Sequence, residues 1–357
     1  MERDHGSRGI SRRTALRLFG VGTGAGLITG LRGLEGAGEL SAASLQAPSR
    51  TQSPRGAIIR TILKDLSPEA LGNGHILFHE HMSFDRTFFE RMRPPNAPKP
   101  TTPTPPSYLE DVDVITEEVK ASGKEGIGCI VDGGHKDMGT SYANLRTIAQ
   151  RSGVHIVASG GYYLQTTYPP EVQTQSEDQL VEGLVRDAAA ERWGAFGEIG
   201  SSPEMTSDER KVFRVIAKTH VRTAIPIFTH TSTMRNLCIG HLSDITDDPK
   251  AETHKAIAKR GAFLGFDTVG HQLGQGDSKK LALIMAVLEA GYEDHVLLSA
   301  DFASERETKF NGGAGYSSVS MVFLPKLRYA GVKEATIRKI MVENPKRFLA
   351  FVPKKAS

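Results

Sequence analysis

The segment Leu77–Asp85 (LFHEHMSFD) sets His79 and His81 one residue apart at the end of an apolar run. In an extended chain residues i and i+2 point to the same side, so both imidazoles aim at one point. Four more residues of metal-ligating type stand in or just after other apolar runs: Glu198 in AFGEI, His230 after IPIFT, His241 after LCIG and Asp301 after HVLLSA. Neutral imidazole and carboxylate oxygen suit zinc, manganese, cobalt or iron. Six such residues exceed the needs of one tetrahedral ion and suit two ions sharing a bridging carboxylate and a hydroxide. Any one of these histidines alone would read as structural. Together, at the ends of five runs, they read as a metal site.

Such a site needs a scaffold that gathers five strand ends. Short apolar runs lie at 75–79, 128–132, 154–159, 195–199, 225–229, 237–240, 262–266 and 295–300. Amphipathic helical patterns lie between most of them, at 107–121, 142–151, 177–190, 207–221, 251–260 and 278–290, and Gly153, Gly261 and Gly291 give helix stop signals. Eight strand–helix units without a break in composition predict an α/β fold, a closed (β/α)8 TIM barrel, which builds its sites at the C-terminal ends of its strands. A doubly wound open sheet is the alternative, but no glycine-rich phosphate loop follows the first strand. One connection departs from the pattern. Between His230 and the sixth run stand only Thr231 to Asn236 (TSTMRN), whereas parallel neighbours normally need a crossover of about a dozen residues or more. Six residues span at most ~20 Å, enough to return along a strand but not to form a fifth helix. If a segment has been lost there, the register of His241 shifts, the outer face of LCIGH is exposed and the barrel is catalytically impaired.

Composition narrows the class. With 39% hydrophobic and 24% charged residues the 357-residue chain has an ordinary globular mix. Its net charge of +3 includes the arginine-rich first 17 residues, so nothing argues for a nucleic-acid surface. Cys129 and Cys238 sit inside apolar runs, as buried free thiols do. Residues 1–50 are of another kind. SRRTALRLFGVGTGAGLITGL reads as a twin-arginine export signal, with cleavage after Ala43 or, less well, Ala47. Its apolar stretch, Leu18 to Leu31, is short for a membrane span. The expectation is a signal and linker over 1–50, a barrel over 51–357, and a periplasmic or secreted protein with no stable membrane anchor after cleavage.

The motifs HEH, FTHTS, IGHLSD and LLSADF, with the closing LRYAGVKEATIRKIMVENPKRFLAF, resemble the phosphotriesterase-related branch of the amidohydrolase superfamily, from about Thr61 to Phe351. The resemblance implies His79, His81 and Asp301 on a more buried metal, His230 and His241 on a more exposed one, and a bridging residue on the fourth strand. In well-studied members that bridge is a carbamylated lysine; here WGAFGEIGSS puts Glu198 there, a carboxylate already anionic and bidentate. Two divalent ions are expected, zinc first, with manganese, cobalt or iron as alternatives. The implied activity is hydrolysis of a lactone, carboxylic ester or organophosphate ester by metal-activated hydroxide, with Asp301 taking up the proton. The alternative is an impaired barrel that binds metal or ligand without turnover.

Asp244 and Asp267 either pass the proton outward or serve as hydrogen-bonding supports. Tyr162, in SGGYYLQTTYPP, matches a pocket aromatic of the family; Tyr163 follows it, and Phe302 stands beside Asp301 as a second substrate-lining candidate. Thr268 follows Asp267 where lactone-hydrolysing members carry an arginine, which weakens a specific lactonase reading. The loop FASERETKFNGGAGYSS brings Arg306 and Lys309 near the mouth, as a lid, an anion-holding loop or a solvated loop. RPPNAPKPTTPTPP (93–106) is a stiff rim segment without chemistry of its own. The expected partner is a small-molecule ester or lactone, and family members are often homodimers.

Overall fold

The structure, a computed structural model, describes residues 53–92, 106–202, 204–229, 237–245, 247–270 and 276–354. The stretch read as an export signal, the proline-rich stretch up to 105, His230 and TSTMRN lie outside the described residues.

The eight apolar runs form eight strands: β1 His75–Glu80, β2 Ile127–Asp132, β3 His155–Gly160, β4 Ala195–Ile199, β5 Ile227–Thr229, β6 Leu237–Ile239, β7 Phe263–Phe266 and β8 Val296–Leu298. Each pairs with the next in parallel, in chain order. Helices α1 Val112–Lys124, α2 Tyr142–Ser152, α3 Glu177–Ala190, α4 Ser207–Thr223, α5 Glu252–Lys259 and α6 Asp277–Glu289 fall between them. This is the expected (β/α)8 barrel. Past the last residue of β8 the seam to β1 is drawn together by Asp301 N–H donating to His79 O (3.3 Å) and His81 N–H donating to Phe302 O (3.2 Å). Among the described residues no helix is long and apolar enough to cross a membrane.

Local sequence explains the helix ends. Ser176 with Gln179 and Thr206 with Glu209 form capping boxes that satisfy the first amides of α3 and α4. Gly153 stops α2 in the left-handed conformation that suits glycine. Two apolar layers result from the period of two along the strands. Ile76, Phe78, Cys129, Val131, Val157, Phe228, Cys238 and Leu297 pack together inside the barrel. Leu77, Ile130, Ile156, Phe196, Ile239, Leu264 and Leu298 pack outward with helix residues such as Val119, Leu145, Leu184 and Val215. Both cysteines are free and buried.

Besides an irregularity between His75 and Ile76, two bulges break this alternation, each where a candidate ligand stands. Leu77 opposes Ile130 while Glu80 opposes Asp132, so β1 spends three residues where β2 spends two. The same happens between Phe196–Ile199 of β4 and Ile227–Thr229 of β5. An extra residue reverses which face the following side chains take. His79 and His81 thereby continue the inward face begun by Ile76 and Phe78, and the His79 ring reaches within 5.2 Å of Phe228.

The short connection leaves the register intact. Ile227, Phe228 and Thr229 pair with Leu237, Cys238 and Ile239, so residues 230–236 link two neighbouring parallel strands. Returning along a three-residue strand and stepping sideways about 4.8 Å lies within their reach. Exposure of the outer face of β6 is not seen at Ile239, which is 2% exposed; it is Ile227 on β5 that is partly exposed.

Candidate metal centre

Five of the six candidate ligands lie among the described residues, and the barrel brings all five to one point. His79 Nε2 stands 3.5 Å from Glu198 Oε1 and 3.6 Å from Asp301 Oδ1. His81 Nε2 stands 3.4 Å and 3.0 Å from the same two oxygens. His241 Nε2 faces the other oxygen of each carboxylate, at 3.8 Å from Glu198 Oε2 and 3.5 Å from Asp301 Oδ2. Each carboxylate therefore divides its two oxygens between a histidine pair and a third histidine. The pair is the more enclosed side, with His79 and His81 side chains 1% and 3% exposed against 20% for His241. His230, which the family resemblance puts beside His241, lies outside the described residues.

The donor set fits a cation. Ligand atoms ~2.1 Å from a tetrahedral zinc ion stand ~3.4 Å from one another, close to the separations between the imidazole nitrogens and carboxylate oxygens here. His79 Nε2 is buried and makes no hydrogen bond. Burial opposes charge on His79 and His81, but Glu198 and Asp301 outweigh it and raise both imidazoles, His81 to about 9. Burial would likewise raise the Asp301 carboxyl, yet His79, His81 and His241 hold it well below its ordinary value.

Asp301 and His241 both adopt left-handed backbone, with φ of 52° and 56°. Residues other than glycine persist there only where the surroundings impose it, commonly at functional sites. A Cβ on Gly133, just past β2, would meet His79 Cδ2 at 2.8 Å, His79 Nε2 at 2.9 Å and His81 Cε1 at 3.0 Å. The carbonyl of Gly133 also accepts the Glu198 N–H at 3.1 Å. Only glycine lets this backbone lie against both ligand rings.

A supporting layer orients the ligands. Asp267, at the end of β7, places Oδ2 2.9 Å from His79 Nδ1 and accepts the His241 N–H on Oδ1 at 2.6 Å. One carboxylate thus fixes the tautomer of one ligand and the backbone of another. Asp244 Oδ2 is 3.6 Å from His241 Nδ1, and its Oδ1 accepts the Thr268 hydroxyl at 3.1 Å. Burial would raise the Asp244 carboxyl, but His241 and Lys280 hold it below its ordinary value. Buried Lys280 donates to the carbonyl of Thr268. Asp132 accepts the Met82 N–H (2.7 Å) and the Tyr316 hydroxyl donates to His81 O (2.8 Å), so the chain around His81 is held from two sides. Of these supports, sequence reasoning had named only Asp244 and Asp267.

The substrate-lining candidates separate. Burial raises the Tyr163 hydroxyl, and Glu198 and Asp301 add to the shift, which places Tyr163 in the field of the cluster. For Tyr162 burial is followed by Glu171, Asp137 and Asp187, and its ring packs 6.1 Å from Tyr168. Phe302 is 1% exposed, its ring 4.5 Å from Tyr316. Phe84 and Phe88 continue an aromatic row from the His81 ring toward Tyr163, with centroid steps of 4.4, 4.8 and 6.0 Å. Lys309 is committed to Glu125 on the outside of the barrel (2.8 Å), and Arg306 is exposed.

Comparison with known proteins agrees with this geometry. A family model described as the Phosphotriesterase family matches residues 59–349. An N-acetyltaurine hydrolase from Xenopus tropicalis is 25% identical over 346 residues, covering 82% of this chain and 98% of the relative. Among solved structures, a resiniferatoxin-binding protein from Rhodobacter sphaeroides superposes with a TM-score of 0.72 at 28% identity, covering 84% of this chain and 97% of that one. The phosphotriesterase homology protein of Escherichia coli, solved with phosphate in its active site, gives 0.67 at 27% identity, covering 78% and 99%.

Proposed function

The chain belongs to the phosphotriesterase family, and from that premise we propose a binuclear metal-dependent hydrolase acting on a lactone, a carboxylic ester or an organophosphate ester. One observation carries the binuclear reading: Glu198 and Asp301 each turn one oxygen to His79 and His81 and the other to His241. Glu198 would be the bridge, His79, His81 and Asp301 would hold the enclosed ion, and His241 with His230 the exposed one. Zinc suits this set best, with manganese, cobalt or iron as alternatives. Divalent ions held there supply Lewis acidity toward a carbonyl or phosphoryl oxygen and lower the pKa of water.

The chain's own residues supply the rest. Asp301 is placed to accept the proton of the attacking water, and Asp244 is the next carboxylate outward. Asp267 keeps His79 and His241 aimed. Phe84, Phe88 and Tyr163 give an apolar flank for the acyl or ester group. Because Lys309 is engaged with Glu125, the loop after β8 does not offer the cationic pair a phosphorylated anion would need, which favours neutral esters and lactones. The relative named for N-acetyltaurine adds N-acyl amides to the classes worth assaying. We also assign residues 1–50 to twin-arginine export, so the mature enzyme works in the periplasm or outside the cell, and a homodimer is the assembly to test by its mass in solution.

The experiment is hydrolysis of a lactone, an aryl ester, a phosphotriester and an N-acyl amide by purified protein, before chelation, after it and after reloading with zinc or cobalt. Turnover of at least one class, lost on chelation and restored on reloading, is expected. A protein that reloads with two ions yet turns over none of them is the impaired barrel, the reading that the short link between β5 and β6 motivates.

A further inference from the structure

Between His79 and His81, as the last residue of β1, lies a carboxylate that the chemistry above leaves unused. Glu80 is 0% exposed. Its Oε1 accepts the Ser299 hydroxyl at 2.7 Å and the Ala300 N–H at 2.9 Å, and its Oε2 accepts the Phe302 N–H at 2.7 Å. These donors bracket Asp301 on both sides. Of the four N–H groups from Ser299 to Phe302, two go to this one side chain, one goes to His79 O and one to Phe266 O. Ser299 Oγ in turn accepts the His79 N–H at 3.1 Å, so the same grip reaches a second ligand. The regular pairing of β8 with β7 ends at Leu298. Beyond it the chain turns through the left-handed conformation of Asp301, which has to be imposed from outside.

We propose that Glu80 is the positioning residue of the metal centre: its carboxylate grips both flanks of Asp301 and holds the turn that lets the Asp301 carboxylate span His81 and His241. A buried carboxyl group in this place is otherwise a poor way to close a barrel, since an apolar side chain would fill the seam without the cost of desolvation. The bulge in β1 serves the arrangement, because it gives the inward face to the two histidines and leaves Glu80 for the seam. The inference rests on the metal-centre reading.

The test is zinc affinity of the metal-free full chain, measured by competition with a chromophoric chelator, together with hydrogen exchange at the Ala300 and Phe302 amides. Glu80→Gln keeps the size of the side chain but turns an amide NH2 toward donors that need an acceptor. Asn344→Ala is the control, because Asn344 Nδ2 donates to Glu293 O and Val296 O and so braces β8 at its other end. Glu80→Gln is expected to weaken zinc binding about 10-fold or more, as loss of a ligand's support does, and to speed exchange at both amides in the metal-free protein. Asn344→Ala, at a similar loss of Tm, is expected to leave zinc affinity unchanged. If Glu80→Gln does not fold, Ser299→Ala, which removes one of the three donors, should show a smaller loss in the same direction. Wild-type zinc affinity in the folded Glu80 or Ser299 variant, or a loss no larger than that of Asn344→Ala, overturns the role given to Glu80 alone. A wild-type chain that binds no zinc overturns it together with the metal centre.

Discussion

Asp301→Ala is expected to lower kcat/KM by about 10²–10⁴-fold, the range contributed by a positioned acid–base group. The loss has two sources. Asp301 is the carboxylate placed to take up a proton, and it also gives one oxygen to His81 (3.0 Å) and the other to His241 (3.5 Å). Asp301→Asn separates the two, because it keeps an oxygen and the size of the side chain while removing the basic carboxylate. If Asn retains metal and loses turnover, proton acceptance is the larger part; if both metal and turnover go, ligation is. The measurement is kcat/KM on the best substrate, with metal content determined on the same samples. Retained turnover in either variant at full metal content contradicts the role assigned to Asp301.

Gly133→Ala is the second large effect, and it involves no ligand side chain at all. The added methyl would lie within 3.0 Å of ring atoms of both His79 and His81. Well-packed interiors resist such insertions at a cost of about 1–3 kcal/mol, relieved by moving side chains or backbone. Here the side chains that must move are His79 and His81, the two imidazoles proposed to hold the enclosed ion. The variant should fold with a lowered Tm and lose most of its metal, and with it turnover, when metal is counted after gel filtration. Full metal content in folded Gly133→Ala would mean that His79 and His81 do not sit where the structure puts them.

The scaffold was legible from the sequence because the signals that carry it are local. Apolar runs of a few residues, separated by amphipathic patterns with glycine stops, placed all eight strands and six helices within a few residues, as at AFGEI and at the helix over 177–190. His79 and His81, at the end of β1 and just past it, were legible because residues two apart share a face. What stayed hidden depends on contacts between strands. The bulges in β1 and β4 decide which side chains face inward, yet a bulge is a mismatch between two partners and leaves no mark in either segment alone. For the same reason Glu80 could be quoted between two ligands without a role, since its partners lie about 220 residues further on. A short crossover in the sequence does not imply a shift of register at His241, because paired strands of three residues need little chain to return. Tyr163 closes the aromatic row that starts at the His81 ring, a placement set by a loop that has no fixed alternation.

On the function proposed above, two metal ions share the Glu198 carboxylate. Counting zinc, manganese, cobalt and iron per chain by elemental analysis tests it most directly, on purified wild-type protein and on Glu198→Ala. The account predicts two ions per chain in the wild type and one or fewer in the variant. One ion or none in the wild type, or two that survive the loss of Glu198, would contradict it.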